Sequence, residues 1–140
     1  EVYSVFANGG VHRDAIAITR IEDRNGNVVY EHQDSSEQIV DSAIIEDLTG
    51  VLEGVVTKGS ATYGRNNATF NQPVAGKTGT AQTGQFSGGT ELKNYWFAGF
   101  VPAEQPSYTI VVLQDTQAEP AFSSAAIFAR VAAGLEILAP

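Results

Sequence analysis

Two helical patterns enclose three strand-like runs in this chain, and that order leaves few folds open. Ile44, Leu48, Val51 and Val55 recur at helical spacing, and Ile45, Leu52 and Val56 widen the stripe. Asp41 is placed to cap this helix, and Lys58-Gly59 to close it. After a loop over residues 59–73, Val74 to Gln82 reads as a strand. Tyr95 to Val101 reads as an aromatic strand ended by Pro102, and Tyr108 to Leu113 as a β-branched strand of a sheet interior, with Ala103 to Pro106 turning the chain between them. Pro120 suits the start of a last helix near Ala121 to Leu138, with Ile127, Phe128, Val131, Leu135 and Leu138 on its apolar side. Runs joined by short connections pair as antiparallel neighbours. The fold class is therefore α+β, an antiparallel sheet covered by helices.

Upstream, EVYSVFANGG reads as the end of a helix stopped by Asn8-Gly9-Gly10. It fits neither a signal peptide nor a natural start, so the chain is expected to be cut from something longer. Ala15 to Ile21 alternates, Asp23 to Asn27 supplies turn chemistry and Val28 to Tyr30 returns, which predicts an N-terminal hairpin over residues 14–32. His32 to Gln38 reads as a polar connector.

Composition narrows the function. At 140 residues the chain is about one domain, and 43% hydrophobic with 17% charged residues describes a folded protein. A net charge of −8, with only 8 scattered Lys and Arg, speaks against a nucleic-acid surface. There is no cysteine, hence no disulfide and no thiolate site. His12 and His32 stand apart from other metal-ligand side chains and read as surface residues; no metal and no cofactor is expected. No apolar run approaches the roughly 20 residues of a membrane helix.

One stretch carries chemistry. In QPVAGKTGTAQT, residues 72–83, Lys77 is the only charge among small neutral residues. Gly76-Lys77-Thr78 matches the end of a P-loop, but Asn71 stands where the first glycine is needed and Pro73 removes a backbone donor. A strand fits better. An edge strand of glycine and threonine can present N–H groups, hydroxyls and an ammonium to an anion. It can equally be an ordinary edge blunted by a solvated lysine. A glycine-rich loop runs from Gly84 to Gly89, and Gln85 to Thr90 is expected to rim a cleft as a mobile loop. Tyr95, Trp96 and Phe97 read as core; Asp115, Glu119 and the Asp23-Arg24 pair read as loop charges.

Taken in order, Gly54-Val55-Val56-Thr57-Lys58-Gly59, Lys77-Thr78-Gly79-Thr80 and Trp96-Phe97-Ala98-Gly99-Phe100-Val101-Pro102 resemble the C-terminal portion of penicillin-binding protein transpeptidase domains. Val5 to Gly10 and Asp23 to Tyr30 also look like that family, so the resemblance covers nearly all of residues 1–140. Ala81-Gln82 leans toward the class B, monofunctional enzymes. Such a family uses S-x-x-K, S-x-N and K-T-G, with a serine attacking a D-Ala-D-Ala peptide or a β-lactam. Neither S-x-x-K nor S-x-N occurs here. The resemblance implies half of an active site, with the nucleophile in an N-terminal remainder of the same domain. It implies that Lys77, Thr78, Gly79 and Thr80 bind the stem peptide or β-lactam, that Lys77 and Thr80 serve catalysis, and that the Thr80 N–H is an oxyanion donor. It implies placement on the outer face of the bacterial membrane, anchored by a segment outside this chain. A non-catalytic fragment and part of a serine β-lactamase are the alternatives.

Overall fold

The computed structural model describes residues 1–62 and 71–138, and the expected loop over 59–73 falls partly outside them. Helix α1 (Val2–Ala7) ends where expected, with the Gly9 and Gly10 amides donating to the Phe6 and Val5 carbonyls. Strand β1 (Val11–Arg13) pairs antiparallel with β4 (Ser36–Gln38). Strand β2 (Arg20–Glu22) pairs with β3 (Val28–Glu31). The hairpin is present but shorter than its sequence pattern, and the supposed polar connector supplies a strand. Backbone pairing with β1, which needs no apolar side chain, makes that strand; periodicity cannot see it.

Helix α2 (Ser42–Thr57) begins at Asp41, whose carboxylate accepts from the Ala43 N–H at 2.9 Å. Its buried residues are Ile45, Leu52 and Val56, whereas Ile44 and Val51 are exposed. The apolar stripe is wider than the face this chain buries.

The main sheet has the order β5 (Ala75–Ser87), β6 (Thr90–Val101), β7 (Tyr108–Gln117), all antiparallel. β5 is thus an edge. Its expected glycine-rich loop is instead strand: β5 and β6 continue to the Ser87↔Thr90 pair, and Gly88-Gly89 turn the chain with φ of 59° and 84°. Two consecutive positive φ values define the tight hairpin turn that suits twisted strands, so glycines that look like a loop in sequence form its tip. The register shifts between Gln82 and Phe86, where Gly84 also has positive φ.

Helix α3 (Ser124–Leu138) starts later than Pro120, at a cap where Ser123 Oγ accepts from the Ala126 N–H. It packs through Ala125, Phe128, Ala129 and Ala132, and Val131 points outward. Alanines let the helix lie close to the sheet, and a count of large apolar residues misses that face. The core sits on both sides of the sheet. Phe97, Val101 and Val74 meet α3, Val56 and Ala61 on one face. Ala75 and Phe100 meet Leu52, with α1 packed against them through Tyr3 and Phe6, on the other. Phe97 and Phe128 touch edge to face, centroids 4.8 Å apart. α2 contributes to both clusters and so lies alongside the edge strand β5.

Candidate functional site

Strand alternation distributes the KTGT residues. Thr78 pairs with Phe97 and Thr80 with Tyr95; Lys77 pairs with Ala98 and Gly79 with Trp96. Thr78 and Thr80 therefore share the α3 face, and Lys77 and Gly79 the other. Yet the Lys77 ammonium curls around the strand margin, donating to the Thr78 carbonyl at 2.8 Å and to Thr78 Oγ1 at 3.2 Å. Only an edge strand leaves room for that reach. Among the described residues, ion pairs join Arg13 to Asp34 and Arg20 to Glu22 and Glu31, and no carboxylate is paired with Lys77. Its ammonium is spent on neutral oxygens, which an incoming anion can displace.

The Thr78 hydroxyl has a second partner. Ser60 Oγ lies 2.7 Å from Thr78 Oγ1. Ser60 is held in place by its neighbour Ala61, whose side chain is buried against Val56, Val74 and Phe97, and whose N–H donates to the Val55 carbonyl at 3.1 Å. The α2 C-terminus thereby sets a hydroxyl over the middle of the KTGT strand.

Ser60, Thr78, Gly79 and Thr80 border a cavity of about 360 Å³, closed opposite by Tyr95, Trp96 and the Pro120–Ala125 segment. Ser124, buried at 5% exposure, ties that wall together. Its Oγ donates to the Tyr95 carbonyl at 3.0 Å and accepts from Gln114 Nε2 at 2.9 Å; Gln114 Nε2 also donates to the Phe122 carbonyl. The loop between β7 and α3 is thus fastened to the strand residue that pairs with Thr80.

The four expected residues come together: Thr78, Gly79 and Thr80 border one cavity, and Lys77 reaches it by way of Thr78. Gly79 is bare on the Trp96 side, where an added Cβ would sit 3.3 Å from Trp96 Cβ. Of the aromatic trio only Phe97 is core at 1% exposure; Trp96 is 37% exposed and lines the cavity with Tyr95. Ser60, Ser123 and Ser124 carry no periodic signal. The two serines near Pro120 are legible only as helix-cap candidates. A larger cavity of about 400 Å³ lies between α1 and α2 and holds none of the KTGT residues. Among the described residues no group of His, Cys, Asp or Glu is gathered for a metal, and no helix is long and apolar enough to cross a membrane.

Residues 1–133 match the penicillin-binding protein transpeptidase domain. The chain belongs to this family, whose members are serine acyltransferases sharing the serine β-lactamase-like fold. It is 33% identical over 100 residues to penicillin-binding protein 1A of Clostridium novyi, covering 71% of this chain and 11% of that protein. It is 32% identical to penicillin-binding protein 1F of Bacillus subtilis, covering 71% and 13%. The D,D-transpeptidase domain of a peptidoglycan glycosyltransferase from Eggerthella lenta superposes with a TM-score of 0.78 at 26% identity, over 99% of this chain and 31% of that one. Penicillin-binding protein 3 of Mycobacterium tuberculosis, solved with aztreonam, gives 0.79 at 26%, over 99% and 34%. The chain spans about a tenth of the length of the curated relatives. These relatives do not separate class A from class B.

Proposed function

We propose that residues 1–140 form the KTG-bearing, C-terminal portion of a peptidoglycan D,D-transpeptidase domain, working at the outer face of the bacterial membrane. The substrate is a stem peptide ending in D-Ala-D-Ala, and β-lactams take its place. Its terminal carboxylate sits against Lys77, Thr78 and Thr80. The serine nucleophile and its lysine base come from residues outside this chain, which has no S-x-x-K.

The observation that carries the reading is the Lys77 ammonium beside Thr78 on an open edge that borders a cavity. An ammonium about 4 Å from a carboxylate gains about 4 kcal/mol at an effective dielectric near 20. Backbone direction supports the Thr80 role. In an antiparallel strand, residues two apart turn their N–H and C=O to the same edge. Pro73 O accepts from the Ala103 N–H, so odd-numbered positions face inward, whereas the Thr78 carbonyl is turned out to Lys77. Thr80 shares the parity of Thr78, which aims its N–H off the open edge. A donor of this kind contributes about 3 kcal/mol to an oxyanion transition state.

In the intact protein, Lys77→Ala should slow acylation by benzylpenicillin about a hundredfold, since a bond to a charged group is lost. Stability should change by less than about 0.5 kcal/mol, because no cavity opens at an exposed edge. An unchanged second-order acylation rate returns Lys77 to a solvated edge lysine. The 140-residue chain alone should take no covalent label from a fluorescent penicillin, and a stoichiometric, denaturation-resistant label on it refutes the assignment of the nucleophile elsewhere.

A further inference from the structure

We infer that Ser60, in the connection after α2, is a positioning residue of the carboxylate site: it donates to Thr78 Oγ1, so that the Thr78 O–H is left to donate to the ligand. The inference rests on Lys77 and Thr78 receiving a carboxylate.

The argument is one of hydrogen-bond capacity. A threonine hydroxyl has one proton and two acceptor sites. Lys77 Nζ, which can only donate, points one proton at Thr78 Oγ1 from 3.2 Å. Ser60 Oγ lies nearer, at 2.7 Å, and either hydroxyl can be the donor. With no anion present the geometry fits either arrangement. A carboxylate changes this, because it accepts only and draws the Thr78 proton to itself. Ser60 must then donate to Thr78 Oγ1, and that donation makes Thr78 a stronger donor in turn. Ser60 is suited to the task. Its neighbour Ala61 is anchored in the core, so the hydroxyl is carried by a fixed backbone. It borders the same cavity as Thr78, Gly79 and Thr80. Glycine or alanine at this position would close the helix equally well and would supply no donor.

The test uses the intact protein and two ligands, benzylpenicillin and its methyl ester, which lacks the carboxylate charge. The readout is the ratio of their second-order acylation rates, which cancels any loss of folded protein. Wild type should favour the acid. Ser60→Ala should lower the acid rate about tenfold and leave the ester rate within about twofold. Ser60→Thr, which keeps a hydroxyl, should restore most of the ratio. In a Thr78→Val background, Ser60→Ala should cost nothing further, since the two residues act as one unit. A wild type that treats acid and ester alike removes the carboxylate site, and the role of Ser60 with it. A wild type that discriminates, with a Ser60→Ala variant that discriminates equally, overturns the role of Ser60 alone. Additive losses in the Thr78→Val background overturn it as well.

Discussion

The strands from Ala75 to Gln117 and those from Val11 to Gln38 are held by different forces. β5, β6 and β7 carry clusters on both faces, with Phe97 and Val101 against α3 on one side and Ala75 and Phe100 against Leu52 and α1 on the other. In β2, β3 and β4 every residue is exposed. Backbone ladders, the Asp23 turn and surface ion pairs shape those short strands. Exposed ion pairs contribute about 0 to 1 kcal/mol each, whereas burying one large apolar side chain contributes about 1.5–3. The comparison teaches where a binding edge can be placed. An edge strand keeps Lys77 and Thr78 at fixed positions only because its other residues are locked into a core; a ribbon like β2–β3 offers no such backing.

The comparison breaks most visibly at Gly76. A Cβ there would meet Phe97 Cζ at 2.6 Å and the Ala98 carbonyl at 2.8 Å, one buried and the other backbone, so neither can yield. Gly76→Val should therefore destabilise the intact protein by about 3 kcal/mol, despite valine's strand propensity. Three residues on, Gly79 faces only Trp96, which is partly exposed and can give way by a few tenths of an ångström. Gly79→Val should keep stability within about 1 kcal/mol. It should nevertheless slow penicillin acylation about a hundredfold, because the push against Trp96 displaces the strand that carries Thr78 and Thr80 along the cavity. Paired thermal melts and acylation time courses decide both. A Gly79→Val variant acylated at the wild-type rate means that this glycine does not shape the site.

These two glycines also show how far the sequence was readable. The Asp41 cap, the edge strand carrying Lys77 and the antiparallel three-stranded sheet between two helices are legible, because periodicity and cap chemistry are local, whereas the β1–β4 pair is not. Nor is the length of the β5–β6 ribbon. Gly84, Gly88 and Gly89 look alike in sequence, and only their partner strand turns them into a bulge and a tip. The buried face of α3 escapes periodicity for a related reason: Ala125, Ala129 and Ala132 owe their burial to closeness of the sheet, a tertiary fact. Lys77 and its threonines stood out as a motif, whereas Ser60 and Ser124 join the site through contacts 18 and 29 residues away along the chain.

A smaller effect is expected where a polar network replaces apolar packing. Ser124→Ala removes the bridge between Gln114 Nε2 and the Tyr95 carbonyl, while Gln114 keeps its bond to the Phe122 carbonyl. The loss should be about 1 kcal/mol, the cost of leaving a half-buried carbonyl without this partner. Denaturant unfolding measures it. A neutral result would mean that the β7–α3 loop is held by packing alone, and that the cavity wall does not depend on this serine.

The smallest effect belongs to the coreless region. The Asp23 carboxylate accepts from the Asn25 N–H at 2.7 Å, the Asn27 N–H at 2.9 Å and Asn27 Nδ2 at 2.8 Å. The side-chain and backbone bonds from Asn27, and then the backbone bond from Asn25, hold its pKa below the ordinary carboxylate value. A pKa lowered by folding means that the hairpin favours the ionised form. Its contribution is present above the unfolded pKa near 3.9 and is lost as pH falls through the lower folded value. Amide-exchange protection in β2 and β3 should thus be flat from pH 7 to about 5 and decline below about 4. The main sheet should hold its protection through that window, since its cohesion is apolar. Asp23→Asn keeps an acceptor for the turn but cannot titrate, so the hairpin's own pH step should vanish in it. If the step survives in Asp23→Asn, another group drives it, and the β2–β3 ribbon is not governed by this turn.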